Sequence, residues 1–561
     1  MALIDKFKSK LLSPHFILGT SVIFLALICV YPFISLFEKV LFPEGSLSLK
    51  YFGKVLSSKS TLTALKNTLI ISFGTACLSL ILAIPLSWLL TRTDVPNQSR
   101  WRSLFCLPYA IPPYIGAMAW IYLANPTNGI INQIIGTSFL NIYTTSGLIW
   151  VMSSFFYTFI LLSLLAALDR MDPSLEEAAR LSGANPFQVF YHITLPIIFP
   201  SLMSGVLLVL LAAAASFGVP AMIGNPARLF LVTTKIYTYQ RMGSLSGIYM
   251  AGALSALLLF LAVLVLFINQ KILKRSDFKT IGGKTSRPSV THLRAAKWPL
   301  YLMMILLFMV VFVFPVLGIL VTALSKVQGD FSLSNFGLQN FYRVFFEMDE
   351  TKRALWNSTK LATIAAICAT LLGTILSFIN KKTDIKGRSI VELFASLPYS
   401  TPGTVLALAF ILAFSADIFG TGISLYNTLF LIGLAYMAKY LNFALRTTGD
   451  GFSQIDDCLA EAARISGASW FTTLRTIWFP LMKPALVASF FLVFMPAFSE
   501  LTMTILLTGP GLETLGTFIF QLQEYGDTSG GGAAVLALLT IMIVFILNML
   551  VRILSKGKYG L

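Results

Sequence analysis

Two ionisable side chains stand inside long apolar stretches of the sequence. Lys439 lies in AYMAKYLNFALR, and Glu500 lies in MPAFSELTMTILL. Charged groups inside membrane-spanning segments are costly, and they commonly mark a pathway for a substrate or an ion. Two interpretations stay open for each residue: Glu500 lines a pathway or stabilises contacts between helices, and Lys439 lines a pathway or extends to the cytoplasmic interface. Ser216, which the repeat described below aligns with Glu500, is the third pathway candidate.

The other reactive residues form no catalytic or metal-binding pattern. The five cysteines and three histidines are scattered without a CxxC pair, and the sequence has no HExxH motif, Ser/His/Asp set or paired aspartates. The stretch 282–285, Gly-Gly-Lys-Thr, resembles the end of a phosphate-binding loop, but that motif needs another glycine at the position of Phe278. The sequence therefore predicts a protein that is not an enzyme, does not hydrolyse ATP and binds no cofactor.

The composition indicates the environment in which these residues act. The chain has 561 residues, of which 56% are hydrophobic and 12% charged, and its mean hydropathy is +0.80. Soluble domains carry about a quarter charged residues, so the sequence predicts an all-α polytopic membrane protein. The net charge of +17 does not indicate nucleic-acid binding, because Lys and Arg collect in alternate loops, as membrane topology requires.

Apolar windows between helix-breaking residues predict about twelve transmembrane helices, six in each half. In the first half, the predicted spans are 16–38, 64–90, 103–124, 145–168, 197–219 and 247–270. In the second half, they are 298–324, 357–380, 390–414, 425–445, 481–507 and 532–554.

The charges between the spans predict domain organisation and orientation. Residues 1–270 form one half, residues 298–561 the other, and the basic segment 271–297 links them. Three loops contain neither Lys nor Arg: 125–143, 415–424 and 508–530. By the positive-inside rule, both termini and the linker are expected in the cytoplasm.

The two halves repeat each other. The segment EAARLSGANPFQVFYHITLP at 177–196 recurs as EAARISGASWFTTLRTIWFP at 461–480, and the Leu-Pro-Tyr at 107–109 recurs at 397–399. The halves are therefore expected to run parallel, related by an axis along the membrane normal, and to enclose a pathway between them. A duplication of purely structural meaning is the alternative.

Each repeated loop is predicted to form a helix, a glycine turn and a second helix outside the bilayer. Asp172 would cap the first helix ahead of a proline at its first position, and Gly183 would end it in a left-handed conformation. Asp456 and Gly467 would do the same in the second copy. Two alanines beside a glutamate offer a narrow face to another protein, and that glutamate would meet a basic group of the partner or stabilise its own loop. A solvated loop with ordinary caps is the alternative, but it leaves the close match of the two loops unexplained.

The pattern Glu-Ala-Ala, a glycine six residues after the glutamate, then Ile-x-Leu-Pro resembles the coupling loop of type I ABC importer permeases. The second copy departs from it only in ending Ile-Trp-Phe-Pro. The resemblance implies two ATPase-coupling sites: Glu177, Ala178, Ala179 and Gly183 in one, and Glu461, Ala462, Ala463 and Gly467 in the other.

What this resemblance implies is a fused permease of the bacterial cytoplasmic (inner) membrane. Each loop would insert a short helix into a cleft of a separate ATPase subunit, present in two copies, which uses the ATP. An extracytoplasmic binding protein would deliver the substrate, and the permease would move it by alternating access.

The segments SFGVPAMIGNPARLFLVTTKIY and FSELTMTILLTGPGLETLGTFIF look like the ferric iron branch of these importers, which implies ferric iron as substrate. Thiamine, phosphonate and polyamine permeases remain alternatives. Ferric ion is a hard cation that prefers oxygen ligands, and the spans offer little carboxylate, so a passage of low affinity is expected.

Two functions from other classes are alternatives to the importer. An ion-coupled secondary transporter would need acidic residues in its spans, where Glu500 stands nearly alone, and it would have no use for matched cytoplasmic loops. An integral membrane enzyme would need a cluster of catalytic polar residues near one interface, which the sequence does not suggest.

Overall fold

The computed structural model describes residues 14–43, 45–275, 290–415, 424–526 and 530–554. Within these ranges the chain forms helices and connecting segments, with two isolated β-bridges and no β-sheet. The prediction of an all-α polytopic protein is confirmed. The phosphate-loop-like stretch 282–285 and most of the linker lie outside the described residues.

The first half contains six spans, one of them bent into two pieces. Its helices are α1 Leu18–Leu41, α2 Lys59–Arg92, α3 Gln98–Ala110, α4 Pro113–Ala124, α5 Thr145–Arg170, the short α6 Ser174–Leu181, α7 Pro186–Ala215 and α8 Leu245–Leu273.

The second half repeats this order. Its helices are α9 Arg294–Leu324, α10 Asp349–Lys382, α11 Ile390–Ser400, α12 Gly403–Phe414, α13 Leu429–Ser453, the short α14 Cys458–Ile465, α15 Leu474–Phe498 and α16 Gly531–Leu554. Shorter helices lie at the end of the bundle opposite α6 and α14. They include Lys50–Ser57, Ile130–Ile135, Val232–Gln240, Thr504–Leu507 and Leu515–Gln521.

The described residues form twelve membrane spans when α13 is counted. Nine described helices are long and apolar enough to cross a membrane, and the bent pairs α3–α4 and α11–α12 each qualify as one span. The helix α13 has 25 residues but contains Lys439, Arg446 and Asp450, which lower its hydropathy. It packs along α10 as α5 packs along α2, so it occupies the place of the fourth span of its half.

The prediction of continuous spans at 103–124 and 390–414 was wrong. Helices α3 and α4 meet at an angle of 94°, and α11 and α12 meet at 109°. Ile111 and Thr401 are extended before Pro112 and Pro402, because a proline ring disfavours helical backbone in the preceding residue. Every residue of α12 is buried. The bends therefore place two helix N-termini inside the bundle.

The predicted spans 197–219 and 481–507 also extend too far. Helix α7 ends at Ala215 and α15 ends at Phe498. Beyond these ends the chain turns and forms short helices before the next span begins. Glu500 consequently lies in a turn, two residues after a transmembrane helix.

The two halves are held together by their first spans, which pack on the opposite half. Helix α1 packs against α12, where the Ser35 hydroxyl donates to the Leu412 carbonyl at 3.3 Å. Helix α9 packs against α4, where a Cβ at Gly318 would lie 3.0 Å from the Leu123 side chain. This exchange makes the two halves one structural unit.

Candidate functional site

Both repeated loops form the predicted helix, turn and helix. Loop 1, residues 172–194, contains α6, a glycine turn and the first residues of α7; loop 2, residues 456–478, contains α14, a glycine turn and the segment that enters α15. Each enters its span through one π-helical turn, Phe190–Thr194 in loop 1 and Leu474–Trp478 in loop 2. Six spans separate the loops, so both lie at the same end of the bundle, called the loop end below.

The two turn glycines have the predicted left-handed conformation, and an aspartate forms a hydrogen bond at the start of each loop's first helix. Gly183 has φ +86° and Gly467 has φ +77°, and no atom lies within 4 Å of a Cβ added at either position. The Asp172 carboxylate accepts from the Ser174 amide at 2.9 Å, and the Asp456 carboxylate accepts from the Cys458 amide at 3.1 Å; each donor is the first residue of its helix. These hydrogen bonds lower the pKa of both aspartates, because they stabilise the ionised carboxylate.

The residues predicted to contact an ATPase are exposed alike in the two loops. Glu177, Ala178 and Gly183 are exposed and Ala179 is partly buried; Glu461, Ala462, Ala463 and Gly467 follow the same order. Glu177 forms no ion pair with any described residue. Stabilisation of the loop was one of the two roles predicted for this glutamate, and in loop 1 the neighbouring residue, Glu176, forms the stabilising ion pair.

That neighbour, Glu176, anchors loop 1 to the bundle. Its carboxylate forms an ion pair of 2.9 Å with Arg92 Nε at the end of α2, and each side chain is 2% exposed. The Thr194 hydroxyl donates to the same carboxylate at 2.7 Å, and Arg92 also donates to the Leu168 carbonyl at 2.9 Å. This buried network joins α2, α5 and both ends of loop 1. This network was not predicted from the sequence, although an arginine at the end of α2 was a usable signal.

Loop 2 has a more exposed anchor. The Lys382 ammonium, at the end of α10, lies 2.6 Å from the Asp457 carboxylate and donates to the Ile455 carbonyl at 2.7 Å. Asp457 is 70% exposed, and Ala460 stands where the repeat has Glu176. The two loops therefore share a shape and differ in how firmly they are attached.

The described end of the linker contacts loop 1. The Thr291 amide donates to the Arg92 carbonyl at 2.8 Å, and Arg180 of α6 donates to the Thr291 hydroxyl at 2.8 Å. The Leu293 amide donates to Asp94 at 3.0 Å, and Lys297 lies 3.2 Å from the same carboxylate. Chiefly through the backbone bond from Leu293, these contacts lower the pKa of Asp94.

The two ionisable pathway candidates form one cluster. The Lys439 ammonium lies 3.4 Å from Glu500 Oε1, and the Tyr440 hydroxyl donates to Glu500 Oε2. Glu500 Oε1 also accepts from the Met503 amide at 2.9 Å. Lys439 is the eleventh residue of α13, so it meets a carboxylate within the bundle and does not extend to the cytoplasmic interface.

Ser216 lies apart from this cluster. It is partly buried at the end of α7, and its carbonyl accepts from the Thr233 hydroxyl at 2.7 Å. Neither Ser216 nor Lys439 lines the cavity described next, whereas Glu500 does. A direct pathway role for Ser216 stays a prediction.

A cavity of about 510 Å³ lies between the halves, against the bend between α3 and α4. The first half supplies residues 108–114 and three phenylalanines of α5, and the second supplies parts of α13, α15, α16 and the turn 499–502. Tyr114 and Tyr440 are buried in its wall, and the Tyr114 hydroxyl has no hydrogen-bond partner among the described residues. Glu500, 9% exposed, is the carboxylate that faces this largely aromatic space.

The described residues contain no group of three or more His, Cys, Asp or Glu placed to hold a metal ion. A cation in the cavity would meet one carboxylate together with phenol hydroxyls. That donor set fits transient passage better than storage, because tight metal sites use several charged ligands.

The family described as "Binding-protein-dependent transport system inner membrane component" matches residues 83–276 and 369–558. These two segments, one in each half, together cover more than half of the chain. Each contains a bent span, a repeated loop and the spans that follow it.

Related sequences include permeases with different cargoes. The chain is 26% identical over 556 residues to a ferric transport system permease protein of Actinobacillus pleuropneumoniae, covering 95% of this chain and 77% of that protein. It is 24% identical over 266 residues to a sulfate transport system permease protein of Salmonella typhimurium, covering 47% of this chain and 94% of that protein. It is 25% identical over 242 residues to a spermidine/putrescine permease protein of Escherichia coli, covering 42% and 89%.

A crystal structure of a bacterial alginate ABC transporter in complex with an alginate pentasaccharide-bound periplasmic protein aligns with 48% of this chain and 98% of its own, at TM-score 0.39 and 16% identity. The assignment rests on the two matched segments and not on this likeness. The chain belongs to the family of binding-protein-dependent transport system inner membrane components, and it carries two copies of the family's domain.

Proposed function

We propose that this chain is a fused, two-half membrane-spanning permease of an ATP-binding-cassette importer and that its cargo is ferric iron. The observation that carries the proposal is the pair of matched loops, exposed alike at one end of a two-half bundle that encloses a cavity. The family supports the transport role, and the ferric permease that aligns with 95% of the chain supports the cargo. Thiamine, phosphonate and polyamine remain the alternative cargoes.

Each loop would receive one ATPase subunit on its exposed glutamate and alanine face. Closure of the ATPase pair on ATP would pull the loops together, and the buried anchor at Arg92 would pass this movement from loop 1 to α2 and α5. ATP drives such a cycle only because it binds the closed state more tightly than the open one. The loop end would face the cytoplasm of a bacterial inner membrane, and an extracytoplasmic binding protein would deliver cargo at the opposite end.

The docking role is tested by charge reversal at Glu177 and Glu461. The permease and its ATPase are reconstituted in liposomes, and ATPase binding and ATP hydrolysis are measured for Glu177→Arg, Glu461→Arg and the double variant. We expect each single variant to weaken ATPase binding about tenfold or more, equivalent to about 1.4 kcal/mol, and the double variant to abolish stimulation. Glu350→Arg, an exposed site at the opposite end of α10, is the matched control.

Unchanged ATPase binding by the double variant would remove the docking role. The cargo is tested in the same liposomes with binding proteins loaded with ferric iron, thiamine, a phosphonate or a polyamine. Stimulated hydrolysis with ferric iron alone supports the proposal, and stimulation by another cargo replaces ferric iron in it.

A further inference from the structure

We propose that Glu500, Tyr440 and Tyr114 form a transit site for a hard metal cation, ferric ion, in the wall of the cavity between the halves. The inference depends on the proposed function for the identity of the cargo. It adds a place on the permease where the cargo, released from its binding protein, is held during transport.

The cluster presents oxygen atoms of the kind that a hard cation prefers. Glu500 supplies a carboxylate and Tyr440 a phenol hydroxyl that already donates to it. Both line the cavity. Hard cations bind oxygen donors in preference to nitrogen or sulfur, and the remaining cavity wall is mainly aromatic and aliphatic.

Tyr114 supplies an observation independent of Glu500. Its side chain is 4% exposed and lines the same cavity, and its hydroxyl has no partner among the described residues. A buried hydroxyl without a hydrogen-bond partner is unfavourable. A bound ligand that contacts the Tyr114 hydroxyl would explain why a tyrosine occupies this position. Tyr114 belongs to the first half and Glu500 to the second, so a movement of the halves would change the donor set, as alternating access requires.

Lys439 acts as the counter-ion of the empty site. Its ammonium lies 3.4 Å from Glu500 and 5.7 Å from the centroid of the Tyr440 ring. In the absence of cargo it neutralises a carboxylate that would otherwise be buried and unpaired. It repels an arriving cation and keeps the affinity low, as passage requires, since tightly held cargo would not leave.

The first half shows that the fold itself does not need these polar groups. At the repeat positions of Lys439, Tyr440 and Glu500, the first half has Phe155, Phe156 and Ser216. Helices α5 and α13 nevertheless begin in the same way: each has a threonine at its N-cap, and the hydroxyl of that threonine accepts a hydrogen bond from a backbone amide. The polar cluster is therefore a feature of one half, added to a helix pair that forms without it.

Charge variants at Glu500 and Lys439 distinguish a transit site from a structural ion pair. Uptake of radioactive iron is measured in liposomes holding the permease and its ATPase, with the ferric-loaded binding protein outside. We expect Glu500→Gln to lose at least tenfold in uptake while binding-protein-stimulated hydrolysis persists. Lys439→Met should retain iron after purification away from free metal, because its carboxylate is no longer neutralised. The double variant should be as inactive as Glu500→Gln. Impaired single variants with uptake restored in the double variant would show a structural ion pair and overturn the proposal.

Tyr114→Phe tests the second donor with little risk to folding, since the hydroxyl has no partner to lose. We expect uptake to fall severalfold. Ser255→Ala, which removes another buried hydroxyl without a partner among the described residues, is the matched control because Ser255 does not line the cavity. Wild-type uptake by both Tyr114→Phe and Glu500→Gln would overturn the site. Failure of the wild-type permease to take up iron, with uptake of an organic cation instead, would overturn the cargo.

Discussion

Two consecutive glutamates show how much depends on a single residue position. Glu176 is buried against Arg92, while Glu177 is exposed on the face proposed for docking. Successive residues of an α-helix are rotated by about 100°, so neighbours of the same type face different surroundings. The repeat retains only the exposed glutamate, because the second loop has Ala460 at the anchoring position.

Replacement of the anchoring glutamate should destabilise the protein, whereas replacement of its neighbour should not. In Glu176→Gln, Arg92 stays buried without a counter-charge, and we expect a loss of about 3–5 kcal/mol. Thermal unfolding of the purified permease in detergent measures this, with Glu177→Gln as control, expected within about 0.5 kcal/mol of wild type. A pair replacement, Arg92→Met with Glu176→Leu, should regain most of the loss. Equal stability of the two glutamine variants would contradict a structural role for Glu176.

At the scale of elements, both halves interrupt the same helices in the same places. The bends before α4 and α12 occur at prolines that repeat along the chain, and both loops enter their spans through a π-helical turn. Such interruptions free backbone groups, which are tolerated within a membrane only where protein or a cavity surrounds them. The cavity lies against one of these bends, at residues 108–114.

The glycine turns of the loops should tolerate asparagine better than alanine. Gly183 and Gly467 have positive φ and open space where a Cβ would lie, so the cost of a substitution is conformational. Alanine in this region costs about 1–2 kcal/mol, and asparagine adopts it more readily. We expect Gly183→Ala to weaken ATPase binding and Gly183→Asn to weaken it less, as measured by titrating the ATPase into permease-containing nanodiscs. Equal affinities for all three proteins would show that the turn does not position α6.

At the scale of the whole molecule, each half depends on the other for part of its packing. Helices α1 and α9 cross to the opposite half, so the connection through the linker is not the main attachment. Among its described residues, the linker contacts the first half, where Thr291 meets Arg92 of α2 and Arg180 of loop 1, and Leu293 donates to Asp94.

A chain cut within the linker should still assemble. When residues 1–280 and 281–561 are expressed together, we expect the halves to co-purify, because the exchanged spans bury apolar surface in both directions. Affinity purification through a tag on one half measures the yield of the other. Gly318→Leu should lower that yield, since a side chain there meets Leu123, whereas Gly19→Leu, which has open space, should not. Recovery of single halves only would show that the linker holds the molecule together.

Much of the architecture was predictable from particular residues. Gly183, Gly467, Asp172 and Asp456 specify the loops locally, because caps and left-handed turns depend on neighbouring backbone. The spans were predictable because apolar length is a property of the chain. The helix ends at Ala215 and Phe498 were not, because apolar sequence continues beyond them and surrounding structure stops the helix.

By itself, the sequence determined the membrane environment, the two repeated halves, and the conformation and exposure of the two loops. These follow from apolar length, spacing and local backbone preference. Only the tertiary structure decided that Lys439 and Glu500 meet, that Tyr114 comes beside them across the boundary between the halves, and that Arg92 is the partner of Glu176. Such contacts join residues far apart along the chain, 61 positions in the case of Lys439 and Glu500. Which of many ionisable and aromatic side chains become neighbours depends on how the helices pack.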